Sequence, residues 1–310
     1  MHITVAMCTH NPQPELMRRA LQAVVAQSRE LPGADVLLVD NASSPPLAMP
    51  EPFEDYPVSL IREERLGLTA AREAAVEAAK GDVLLFVDDD NIIGPGYLTA
   101  VADAFVGDAA LGVLGGRVVP EYETEPPAWL REFEPWLAIR RYAPDLYVET
   151  TAPPVSQFFP VGAGFAVRRG LAEEYVADSG VTTVIQGRRG SALSSGEDTD
   201  LGLFALSRNY KIVVTGALCV THVIARARLE VDYVRRLGAG LAASALALEN
   251  KWAARFGRSV FPDLREATAV LLVKTAIALG LSLFMRRYQV KRGRLMVLAR
   301  ARLNLGGSAP

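Results

Sequence analysis

Three consecutive aspartates, Asp88, Asp89 and Asp90, end the apolar run Val83-Leu84-Leu85-Phe86-Val87. Adjacent carboxylates repel one another, so the run is unfavourable as three anions unless something positive sits among them. Hard oxygen donors gathered where a buried strand meets solvent suit a divalent cation. An acidic strand-to-loop cap reads the same triplet without any chemistry. Two other polar clusters follow apolar runs: Thr9-His10-Asn11 and Asp40-Asn41. Further on, Glu197, Asp198 and Asp200 stand behind Ser194-Ser195-Gly196. A helix N-terminus favours an acid through its free N–H groups and macrodipole. Three acids so close together exceed what a cap requires.

The elements that must position these groups alternate. Hydrophobic periodicity predicts strands at 3–7, 36–39, 58–61, 83–87 and 111–119, and helices at 15–27, 69–80 and 97–105. Such a pattern implies an α/β fold with a mostly parallel sheet and helices on both faces, and ligands beyond the strands' carboxyl ends. All three polar clusters of the first half fall at such ends. Residues 121–156 read as irregular, proline-bearing and rich in Trp129, Phe133, Trp136, Tyr142 and Tyr147. Regular structure is expected again over 158–167, then a helix near 171–177, a glycine- and serine-rich loop at 187–196, and a helix opening at Glu197. Strands near 212–214 and 218–220 follow. Beyond His222 the pattern is helical, over 231–256, 264–287 and 289–303.

The chain has 310 residues, half of them hydrophobic, and its mean hydropathy of +0.17 is high for a freely soluble protein. That length supports one large α/β domain with an appendage, or two domains. Residues 3–6 read directly as a first strand, so no secretory leader is expected. Cys8 and Cys219 are far apart and form neither a disulfide framework nor a zinc site, which points to a reducing, cytoplasmic compartment.

The net charge of −2 hides an asymmetry: residues 251–310 hold 12 Lys/Arg against 2 Asp/Glu, while the rest of the chain is acidic. A basic tail on an acidic body meets something anionic. Without aromatic or glycine–arginine interleaving, a membrane surface is favoured over nucleic acid. Residues 267–285 are largely apolar, but Lys274 near the middle costs about 2.5–3.5 kcal/mol on insertion scales. On a helical wheel Thr268, Lys274, Thr275, Ser282 and Arg286 share one side; Val270, Val273, Ile277, Leu281 and Phe284 share the other. An amphipathic helix on the inner face of the plasma membrane, with residues 263–310 against anionic lipid, is therefore expected rather than a spanning one. A helical appendage packed on the body, or on a second copy in a homo-oligomer, is the competing reading.

Four strings resemble family 2 glycosyltransferases, inverting enzymes of the GT-A fold. Val5-Ala6-Met7-Cys8-Thr9-His10-Asn11 looks like the family's opening. Gly67-Leu68-Thr69-Ala70-Ala71-Arg72 resembles its glycine-to-arginine segment. Phe86-Val87-Asp88-Asp89-Asp90-Asn91 resembles its DxD-type motif, and Gly196-Glu197-Asp198-Thr199-Asp200-Leu201 its Glu-Asp motif. They occur in the family's order over about residues 1–225. The resemblance implies a catalytic domain over 1–225, with a nucleotide-binding half to about 120 and an acceptor and catalytic half over 121–225. The basic helices of 226–310 would follow it.

It further implies a nucleotide-sugar donor, UDP-sugar ahead of GDP and dTDP, and a saccharide or lipid-linked acceptor in polysaccharide or glycoconjugate synthesis. Thr9, with Asn11 beside it, would line the nucleoside pocket. Asp40 would accept from a base N–H, and Arg72 would contact base or phosphates. Simple turn chemistry competes for Asp40, and a helix-surface cation for Arg72. Asp90 would hold Mn²⁺ or Mg²⁺, joined by His222, with Asp89 near ribose or metal and Asp88 at the strand's end. An imidazole beside a carboxylate fits Mn²⁺ somewhat better. A purely structural histidine is the alternative for His222.

Asp198 would be the catalytic base, because an inverting transfer needs one carboxylate to take the acceptor hydroxyl's proton. Glu197 would orient that base or contact acceptor, and Asp200 would be structural. The segment 158–165 resembles the stretch under the donor sugar, where Gly162 and Gly164 would permit close backbone approach. Trp129 and Trp136 could stack on acceptor or form the core of an insertion. A sugar-phosphate nucleotidyltransferase remains a rival, although Thr9-His10-Asn11-Pro12 lacks a glycine-rich phosphate loop. A glycoside hydrolase would need only two carboxylates. A non-catalytic nucleotide-sugar-binding subunit would need neither Asp90 nor Asp198.

Overall fold

A computed structural model describes residues 1–53, 56, 58–153, 158–178, 193, 195–261, 264 and 268–303, the last stretch without the side chains of 268–273, 302 and 303. Its first half runs β1 (Ile3–Thr9), α1 (Pro14–Glu30), β2 (Ala34–Asn41), β3 (Val58–Glu63), α2 (Leu68–Ala78), β4 (Val83–Phe86), β5 (Asn91–Ile93), α3 (Tyr97–Gly107) and β6 (Leu111–Tyr122). A 3-10 segment (Ala128–Leu137), β7 (Tyr147–Thr150), β8 (Phe165–Arg168), α4 (Arg169–Ala177), α5 (Glu197–Ser207) and β9 (Lys211–Ile224) follow. A short 3-10 turn (Arg226–Leu229) leads to α6 (Val231–Phe256), α7 (Thr268–Leu281) and α8 (Arg286–Leu303).

The strands form one sheet in the order β3-β2-β1-β4-β8-β6-β9-β5, with β7 also on β9. Pairings among β3, β2, β1 and β4, and between β6 and β9, are parallel. The strand β8 enters antiparallel between β4 and β6, and β5 and β7 lie antiparallel on β9. Strand periodicity divides the core between the two faces. Ile3, Val5, Met7, Val36 and Leu38 pack with Leu21 and Val24 of α1 and Val101 and Phe105 of α3. Ala6, Cys8, Leu37 and Val39 pack on the other side with Ala71 and Ala75 of α2, Phe204 of α5 and Trp252 of α6. Covering both faces explains why the central strands read as continuous apolar runs. The expected α/β architecture, with C-terminal helices, is the one observed.

Several boundaries differ from expectation for identifiable reasons. Residues 158–164 turn rather than extend, and only Phe165–Arg168 is strand. The two short strands expected near 212 and 218 are one, β9, whose register on β6 shifts between Gly116 and Arg117. A bulge adds residues to one strand without ending it. The strands β5 and β7 and the 3-10 segment were not expected at all. The glycine- and serine-rich loop at 187–196 lies outside the described residues except for Leu193, Ser195 and Gly196.

Candidate active site

The triplet sits in a tight turn at the carboxyl end of β4, closed by the Asn91 N–H donating to the Asp88 carbonyl (3.0 Å). The chain then enters β5, whose antiparallel register sets Asn91 opposite His222 of β9. The Val223 N–H donates to the Asp90 carbonyl at 2.9 Å. Asp90 and His222 thus become neighbours, with carboxylate Oδ2 and imidazole Nε2 3.5 Å apart.

A third group lies between them. Arg228, in the 3-10 turn after β9, reaches Asp90 Oδ2 at 2.9 Å through one Nη and His222 Nε2 at 3.1 Å through the other. Arginine only donates, so Nε2 is the acceptor and the ring proton is on Nδ1. Nδ1 is buried and has no hydrogen-bond partner among the described residues. The Arg228 guanidinium is held charged against its burial by Asp90 first among its neighbours. Sequence reasoning passed over Arg228; its one signal was its place six residues beyond His222.

Asp89 is bonded by the Thr9 hydroxyl. Burial, and then the neighbouring Asp90, push its pKa up to about 7. Asp88 faces Arg72 of α2 at 3.9 Å and is more than a strand end. Arg72, its side chain 13% exposed, lies over the Phe86 ring and contacts Glu197 Oε1 at 3.2 Å, so it joins the acidic turn to the start of α5. Helix-surface cation does not describe it. Glu197 also accepts from the Gly196 N–H at 3.0 Å.

Asp198 lies beside them. Its Oδ2 accepts from the Gly162 N–H (2.8 Å) and its Oδ1 from the Thr199 N–H (2.6 Å). Burial, then the Glu197 charge, raise its pKa, with Arg72 opposing. A Cβ at Gly162 would lie 2.6 Å from Arg72 Nη2, so a larger residue there would have to displace that guanidinium. Asp200, in the same helical turn, points away and is bonded by Lys251 Nζ (2.7 and 2.6 Å), Trp252 Nε1 (2.5 Å) and Tyr175 OH (2.9 Å).

These groups surround a cavity of about 510 Å³, lined by Thr9, His10, Asn41, Arg72, Asp88, Asp89, Asp90, Gly162, Glu197, Asp198, His222 and Arg228 among others. Such a volume is in the range that holds small ligands. Three expected members are elsewhere, and each has a physical reason. Asp40 is 1% exposed. Its carboxylate accepts from the Ser43 and Leu47 N–H groups and from Arg62, so turn chemistry consumes it. Asn41 takes the place at the cavity, stapling Arg65 O and the Gly67 N–H. Asn11 has φ +48°, and its side-chain oxygen accepts from the Ser44 N–H. It links the loop after β1 to the loop after β2. Gly164, at φ +68°, lies against Tyr97, whose hydroxyl donates to its carbonyl (2.6 Å). Trp129 and Trp136 each meet the Phe133 ring in a tilted contact in the 3-10 segment, with Trp136 against Gly238 of α6, and the three form the core of that insertion.

The family model for glycosyl transferase family 2 matches residues 4–176. The chain belongs to this family. Among curated family relatives, the glucosyl-dolichyl phosphate glucuronosyltransferase of Haloferax volcanii is 26% identical over 140 residues, 44% of each chain. The succinoglycan biosynthesis protein ExoM of Rhizobium meliloti is 26% identical over 135 residues, 42% of this chain and 43% of that one. The match therefore spans less than half the length of these curated relatives. The solved structure of S. aureus TarS 1-349 covers 99% of this chain and 93% of its own, with TM-score 0.51 and 16% identity. That likeness shows the fold, the GT-A fold expected for the family.

A divalent ion is the natural family cofactor to test here. Among the described residues no group of three or more His, Cys, Asp or Glu side chains converges closely enough to hold one. Asp90 and His222 offer two donors, which fits an ion that takes its remaining ligands from phosphate oxygens and water. That fit requires Arg228 to yield both atoms.

Proposed function

We propose that the chain is a metal-dependent, inverting glycosyltransferase that moves a sugar from a nucleotide diphosphate, UDP-sugar first, to a hydroxyl of a saccharide or lipid-linked acceptor. The observation that carries the reading is Asp198: a half-buried carboxylate of raised pKa on the cavity wall, fixed by two backbone N–H groups, beside the arginine that faces the acidic turn. A base so held keeps its orientation and, through its raised pKa, a stronger pull on a proton. In the transfer the acceptor oxygen attacks the anomeric carbon, its proton goes to Asp198, and the bond from sugar to diphosphate breaks. Arg72 and Arg228 stand on the acidic side of the cavity, where negative charge on the diphosphate would collect. Glu197 holds Arg72 in place. Asp90 and His222 would hold Mn²⁺ or Mg²⁺, which supplies Lewis-acid stabilisation of the leaving diphosphate.

The names of the two curated relatives, one joining glucuronosyl transfer to a glucosyl-dolichyl phosphate and one tied to succinoglycan biosynthesis, support an acceptor in polysaccharide or lipid-linked synthesis; a lipid-linked acceptor would put the reaction at a membrane. Thermal shift with UDP, GDP, dTDP and their sugars, with and without Mn²⁺, tests the donor reading. Anomeric NMR of the product tests inversion. No stabilisation by any nucleotide overturns the first, and a retained anomer overturns the second.

A further inference from the structure

An amphipathic surface helix in a water-soluble body buries its bulky apolar side and shows water its small and polar one. Over the described side chains of α7, from 274 on, and at Ser282 just beyond its end, the arrangement is reversed. Thr275, Ala278 and Ser282 are buried, while Ile277 and Leu279 are exposed. The turn into α8 continues the inversion, with Leu283 78% and Phe284 84% exposed and Met285 also outward. Backbone bonds from the Phe284 and Met285 N–H groups to the Leu281 carbonyl (3.0 and 2.9 Å) fix this corner, so the apolar side chains are presented by an ordered turn. Exposed apolar groups scattered singly need no explanation, but a run at one corner marks an interaction surface.

The charges around the corner decide what covers it. From residue 267 to the C-terminus the sequence has eight Lys/Arg and no Asp or Glu. Arg286 and Arg287 follow the apolar corner directly and are exposed, as are Lys274 and Arg300. A second copy of the chain would bring two such cationic surfaces together, whereas an anionic bilayer neutralises them. No helix of the described residues is long and apolar enough to cross a membrane. We propose that the α7–α8 corner is a lipid-docking device: Leu283 and Phe284 enter the acyl boundary of an anionic membrane surface while Arg286 and Arg287 lie among its headgroups. This deepens the membrane-side acceptor reading by naming the contact, yet vesicle binding needs no nucleotide, so either can fail alone.

The test uses the full chain and vesicles of phosphatidylcholine with or without phosphatidylglycerol. The wild type should sediment with the phosphatidylglycerol vesicles and be released by salt. Leu283→Ser with Phe284→Ser, and separately Arg286→Glu with Arg287→Glu, should each lower the partition coefficient by about tenfold or more. Circular dichroism and unfolding temperature should match wild type, because these side chains are exposed. In Phe284→Trp, tryptophan emission should shift to the blue on adding those vesicles. Equal sedimentation of wild type and the serine variant overturns the proposal. So does a dimer by light scattering that the serine variant dissociates while wild type ignores vesicles; a second copy would then cover the corner.

Discussion

Asp200→Ala is the most exacting perturbation of the framework behind the site. Asp200 is fully buried, Lys251 is 7% exposed, and the pair is joined at 2.6 Å. The same carboxylate takes the Trp252 indole N–H and the Tyr175 hydroxyl, so α4, α5 and α6 meet on one side chain. Removing it takes two short bonds and the adjacent opposite charge from an ammonium that burial already disfavours, since desolvation lowers the Lys251 pKa despite Asp200. Breaking a buried pair by deleting one partner costs about 3–5 kcal/mol, out of a total stability of about 5–15 kcal/mol. With an unfolding entropy near 2.1 cal/mol/K per residue over 310 residues, the unfolding temperature should fall by roughly 5–8 °C. Calorimetry at pH 7 measures it. Replacing both ions by apolar groups of similar size, Asp200→Leu with Lys251→Met, should recover most of the loss. A fall of under about 2 °C in the single variant, or no recovery in the double, refutes the claim that this carboxylate ties the three helices together.

The site makes two further demands. Burial and Glu197 raise the Asp198 pKa, so the folded state binds that proton more tightly than the unfolded state. Its contribution to stability is complete below the unfolded carboxylate's pKa and is lost as pH rises through the folded value. Asp198→Asn should therefore unfold at least as high as wild type at pH 7 while turnover drops by about 10²–10⁴. A marked loss of stability at pH 7 would show that the charge is needed by the fold. The acid limb of wild-type kcat/KM, which reports the free enzyme, should lie above the ordinary aspartate range; a limb at the ordinary value contradicts the burial effect. Arg228→Met removes the cation bonded to Asp90 and His222, and charge-assisted bonds are worth about 1.5–3 kcal/mol. Mn²⁺ affinity by electron paramagnetic resonance should rise about tenfold without nucleotide, and unchanged or weaker binding would refute competition for those two atoms.

Where local pattern carries the information, sequence reading and structure agree. The apolar runs of β1, β2 and β4 and the period of α1 and α6 mark themselves, because both sheet faces and one helix face are buried. Glu197 and Asp198 were legible from glycine and acids at a helix start. Local chemistry could not reveal long-range pairing. The three residues of β5 carry no signal of their own and exist because β9 offers them an edge. Arg228 reads as one more basic residue until β9 and the 3-10 turn aim it. Asp40 went the other way: Asp-Asn-Ala-Ser is good turn chemistry, and Arg62, 22 residues on, completes the clamp. Gly162 does line the cavity, but its nearness to Arg72 of α2 is a long-range contact that no local pattern announces.

The antiparallel contact of β5 on β9 has a consequence for what changes the chain can absorb. Side chains alternate along a strand and His222 is held in place by the pairing of β9 with β6, so a slip of one residue in that short ladder would turn the β5 side over and take Asp90 away from His222. The pair is thus addressed by chain length between Phe86 and Asn91 as strictly as by residue identity. Conservative substitutions in that turn leave the address intact, whereas a single insertion or deletion there rewrites it.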